Sequence, residues 1–89
     1  MEHLIANSAI SRNVKTIVQS AIEDMGFEIV RIKYDEKDSR TLQIMVDKNN
    51  NGVEISECAL ISTSVSAILD VNDPIDSDYN LEISSPGIN

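Results

Sequence analysis

The sequence predicts an α+β fold: a two-layer α-β-β-α-β sandwich with two helices packed on one face of a three-stranded sheet. Three observations lead there. Two stretches repeat apolar residues at three- and four-residue steps, and three shorter ones alternate them at every second residue. The joints between these stretches hold Gly, Asn, Pro and runs of charge. One apolar stripe per helix and one apolar face per strand are buried together when the helices lie on the sheet.

Ile10, Val14, Ile17, Val18, Ala21, Ile22 and Met25 fall on one stripe of a first helix. Ser8 or Ser11 is suited to cap its start, and Gly26 sits where a left-handed residue would end it. The period then changes to two. Val30, Ile32 and Tyr34 form the buried set of a first strand, alternating with Ile29, Arg31 and Lys33. The polar loop at 35–40 leads to a second strand with Leu42, Ile44 and Val46 inward, so the pair is expected to be an antiparallel hairpin. Asn49 to Gly52 (NNNG) reads as a turn. Ser56 is the expected N-cap of a second helix, whose stripe is Cys58, Ile61, Val65, Ile68 and Leu69. Asp73-Pro74 ends it, and Tyr79, Leu81 and Ile83 share one face of a third strand. The pattern leaves open whether that strand lies beside the first or the second. Arg31, Lys33, Gln43 and Glu82 are expected on the solvent face of the sheet.

Eighty-nine residues make one domain, 1–89, and a 42% hydrophobic content with a single Phe makes its core aliphatic. At this size burial barely offsets about 1.5 kcal/mol of chain entropy per ordered residue, so apolar positions are read first as core. No apolar run is long enough to span a bilayer, and the N-terminus lacks the pattern of a signal peptide. A lone cysteine, Cys58, fits a reducing compartment, and a cytoplasmic location is expected.

Charge is unevenly distributed. Net charge is −8; all seven Lys and Arg lie at or before Lys48, and from Asn49 onward there are seven acids and no base. A duplex-binding module normally carries a basic excess, because phosphate contacts supply much of its affinity. An acidic half favours a basic partner instead, or serves as an ordinary solubilising surface.

Catalytic chemistry finds no support. The one histidine, His3, is near the terminus, and Cys58 sits on an apolar stripe where a buried, inert thiol is the default. One Cys and one His do not make a zinc site. DKNNNG (Asp47 to Gly52) begins like a calcium loop, but Cys58 stands where the bidentate Glu is required and Glu54 at the hydrophobic position. The acidic turn from Asp70 to Asp78 lacks the glycine of such a loop and reads as a solvated connector. No metal or cofactor is expected. A KH-type RNA clamp needs a GxxG loop, and the glycines are Gly26, Gly52 and Gly87. Arg31 and Lys33, followed by Lys37 and Arg40, could contact phosphate, or simply form an exposed strand face and a charged loop.

The strings VSAILDVNDPI (Val65 to Ile75) and YNLEISSPG (Tyr79 to Gly87) resemble the N-terminal domain of the ribosome maturation factor family RimP. EDMGFEIVRIKY (Glu23 to Tyr34), TLQIMVDK (Thr41 to Lys48) and GVEISECALISTSVSAILD (Gly52 to Asp70) fit the same family in the same order. The resemblance implies a non-enzymatic, cofactor-free domain that the family pairs with a C-terminal SH3-like barrel, which is not expected within residues 1–89. It implies binding of the immature small ribosomal subunit to promote its assembly. A strongly basic small-subunit protein at the decoding centre is the principal partner implied, with rRNA beside it. A monomer is expected. Matching positions suggest Asp73, Pro74, Ser85, Pro86 and Gly87 as the partner surface and Arg31 and Lys33 as the candidate rRNA contact. The alternative is a stand-alone single-strand RNA-binding α/β module.

Overall fold

Helix α1 (Ala9–Asp24) buries Val14, Val18 and Ile22 completely, the stripe that its three- and four-residue spacing demands. The computed structural model describes residues 9–35, 37, 40–48, 52–75 and 78–86. Ser11 lies inside α1 and is buried, so it does not cap the helix; Ser8 lies outside the described residues. The C-terminal end is a Schellman motif. Gly26, at φ +94°, donates its N–H to the carbonyl of Glu23, and Phe27 donates to Ile22. Both Phe27 and Ile22 are buried, which supplies the hydrophobic contact that closes such an end.

Strand β1 (Glu28–Asp35) pairs antiparallel with β2 (Thr41–Asp47), as the hairpin reading requires. Its phase differs from the simple alternation. Ile29 faces Val46 and Arg31 faces Met45, so Val30 is the extra residue of a β-bulge. The bulge turns Ile29 into the core and leaves Val30 exposed, correcting the expectation that Val30 would be buried and Ile29 outward. From Ile32 onward the expected phase holds. Leu42, Ile44 and Val46 of β2 are fully buried.

Helix α2 (Ile55–Asn72) returns along the sheet, burying Ile61, Val65 and Leu69. Its N-cap is Glu54 and not the expected Ser56, two residues further on, because the Glu57 carboxylate reaches back to accept the Glu54 N–H at 3.0 Å. At its other end Asp73 adopts a left-handed conformation, φ 47° and ψ 58°, and donates its N–H to the Leu69 carbonyl. Strand β3 (Asn80–Ser84) then pairs parallel with β2, giving the order β1-β2-β3. A helix linking two parallel neighbours is the standard crossover of a βαβ unit. Side chains fall into rows across the sheet. Ile32, Ile44 and Ile83 share a row beneath the helices, whereas Lys33, Gln43 and Glu82 share one on the outer face.

Candidate partner-binding surface

Because α2 runs back against β2, its C-terminal end meets the start of β3, beside Thr41. The Asn80 N–H is fixed there by the Arg40 carbonyl at 2.8 Å. Ser66, Asp70, Asp73, Ile75, Asp78, Tyr79, Asn80 and Leu81 line an open groove of about 560 Å³ at this corner. A helix C-terminus carries partial negative charge, so carboxylates are disfavoured there and cations favoured. Yet Asp70 and Asp73 occupy it, and the last turn holds no basic residue. Tyr79 registers the resulting field: burial pushes its hydroxyl pKa up, and Asp70, Asp73 and Tyr34 push it further. The hydroxyl stays protonated and keeps a proton to donate. An external cation would relieve the repulsion that the groove concentrates.

Asp73 and Pro74 thus stand at the groove, Asp73 exposed on its wall and Pro74 half-buried beside the buried Ile75. Ser85 and Pro86 leave the other end of β3. The whole five-residue length of β3, about 17 Å at 3.3 Å per residue, lies between the two pairs, so the fold does not gather them into one site. Gly87 lies outside the described residues, as do Asp76 of the acidic turn and Asn49 to Asn51 of the DKNNNG string.

Arg31 and Lys33 project from the outer sheet face, both exposed. Their surroundings differ. Arg31 shares its row with Met45 and Ser84, whereas Lys33 shares its row with Glu82. Lys33 also lines a hollow of about 240 Å³ with Asp35, Thr41, Gln43 and Glu82. The two carboxylates there weaken its attraction for phosphate.

The acids of the second half do not form one flank. Glu54 and Glu57 lie at the start of α2, near the facing pair Glu28 and Asp47, while Asp70, Asp73 and Asp78 lie at its far end. Lys48 is committed to the first group: its ammonium is 2.9 Å from Glu57 and 5.8 Å from the Phe27 ring centroid. The Glu57 carboxyl is held below its ordinary range by the Glu54 N–H and then by Lys48. Sequence reasoning passed over this network, although Glu54-x-x-Glu57 has the N-cap to N3 spacing of a capping box. In the sequence Tyr79 is one residue of a strand face, because its groove exists only once α2 and β3 meet.

Cys58 is half-buried, and burial followed by the neighbouring Glu57 pushes its thiol pKa up, away from the thiolate that reactivity needs. Among the described residues no group of three His, Cys, Asp or Glu side chains is placed to hold a metal ion. No helix among them is long and apolar enough to cross a membrane. Compared with models of known protein families, the chain matches the RimP N-terminal domain over residues 17–89, from within α1 through β3.

Proposed function

Since the chain belongs to the RimP N-terminal domain family, a family of ribosome maturation factors rather than of known enzymes, we propose that it binds the immature small ribosomal subunit to promote its assembly. Its principal contact is a strongly basic small-subunit ribosomal protein at the decoding centre. The observation that carries this reading is the groove of Asp70, Asp73 and Asp78 at a helix C-terminus whose last turn holds no basic residue. Such a site attracts cationic side chains at long range and gains when one replaces its water. Arg31, with only Met45 and Ser84 in its row, is the better placed of the two outer-face cations to touch rRNA. Glu82 beside Lys33 argues against a stand-alone RNA binder.

Titration with the purified decoding-centre protein at low and high salt tests the electrostatic account. The dissociation constant is expected to rise about tenfold as ionic strength goes from about 0.05 M to about 0.3 M, where the Debye length falls well below 10 Å. Undetectable or salt-insensitive binding overturns it. A pull-down should also recover precursor small subunits in preference to mature ones.

A further inference from the structure

The two helices present different outer faces. That of α1 is ordinary, with Arg12, Asn13, Thr16, Ser20, Glu23 and Asp24 exposed. That of α2 carries no charge across the twelve residues from Cys58 to Leu69, a length of about 18 Å at 1.5 Å per residue. Leu60 is 63% exposed and Val71 85%, and with Thr63 and Ala67 they recur at helical spacing along one line. The Thr63 hydroxyl spends its proton within the helix, donating to the Ala59 carbonyl at 3.1 Å. The exposed positions of this stretch, Ala59, Leu60, Thr63, Ser66 and Ala67, are small or apolar and uncharged, so the side of α2 away from the buried Ile61, Val65 and Leu69 offers no charge of its own.

We propose that this face of α2 is the floor of a docking site for a cationic, amphipathic segment of a protein partner. Aliphatic or small side chains of the segment pack on Ala59, Leu60, Thr63 and Ala67, and its Lys or Arg residues enter the Asp70–Asp73–Asp78 groove. The inference rests on the reading that the partner is a basic protein, and adds where that partner lies. Charge selects the occupant. The strip is bracketed by Glu54 at one end and by Asp70, Asp73 and Asp78 at the other. Nucleic acid and anionic lipid are repelled by both ends, and a second copy of this chain brings a further −8.

Leu60→Asp and Ala67→Asp each place one added negative charge on an exposed helix position. Both variants are titrated against the purified decoding-centre ribosomal protein, after thermal melts confirm a cooperative fold. Lys33→Gln, with the same change in net charge on the outer sheet face, serves as comparison. Each Asp variant is expected to bind at least about tenfold more weakly than wild type, and Lys33→Gln no more weakly. If the Asp variants bind as well as wild type or better while wild-type binding stays salt-sensitive, docking along α2 is overturned and the acidic-surface reading survives. If wild type does not bind the protein, both fall. A dimeric mass in light scattering that Leu60→Asp abolishes overturns the choice of occupant.

Discussion

The Lys48 ammonium lies 2.9 Å from one oxygen of the Glu57 carboxylate, and the other oxygen accepts the Glu54 N–H at 3.0 Å. One side chain therefore ties the exit of β2 to the first turn of α2. Its acidity is lowered by the backbone donor first and by Lys48 second. A carboxyl acidified by folding stabilises fully above its ordinary value, near 4.5, and that stabilisation is lost as pH falls through the lower folded value. Glu57→Gln keeps a carbonyl oxygen for Glu54 and removes the charge. Its melting temperature is expected to lie below that of wild type at pH 7, with the gap closing as pH drops beneath about 4. Circular-dichroism melts at stepped pH measure this; a gap that persists unchanged to pH 3 refutes the coupling.

The bulge at Val30 makes a prediction opposite to plain alternation. Ile29 belongs to the core and Val30 does not. Ile29→Ala should cost about 2–4 kcal/mol, the usual range for emptying a buried aliphatic site. Val30→Ala should cost less than about 1 kcal/mol, as exposed substitutions do. Urea denaturation of the two variants decides it, and the reverse order would place the bulge elsewhere.

These cases mark what the sequence can specify. Element order was legible because period and turn chemistry are local: Val14, Val18 and Ile22 declare a helix face, and Leu42, Ile44 and Val46 a strand face, without knowledge of their neighbours. Gly26 was legible for the same reason. The bulge was not, since adjacent Ile29 and Val30 are both apolar and either phase fits until β2 fixes which one is paired. Strand order was hidden because Tyr79, Leu81 and Ile83 specify a face and not a neighbour. For the candidate site, Asp73 was singled out from its string, but its grouping with Asp70, Asp78 and Tyr79 needs the helix end and the returning strand together. The acids of the second half form one block in the sequence, with no base among them. An 18-residue helix then carries them to opposite ends.

Asp73 combines both themes, since its backbone and its charge are each unfavourable where they stand. It is left-handed, a conformation that Gly adopts freely and Asp only tolerates, and its carboxylate extends the negative end of α2. Asp73→Gly should therefore stabilise the domain by about 1 kcal/mol, raising the melting temperature by roughly 4–8 °C at this chain length. Asp73→Asn, which removes the charge while keeping a side chain in the left-handed region, should gain only part of that. If the charge is retained because a basic partner uses it, both variants should bind the decoding-centre protein more weakly while melting higher. A melting temperature that falls in Asp73→Gly would mean that the carboxylate stabilises the turn itself. Unchanged binding in both variants would remove Asp73 from the docking surface and leave Asp70 and Asp78 to supply its field.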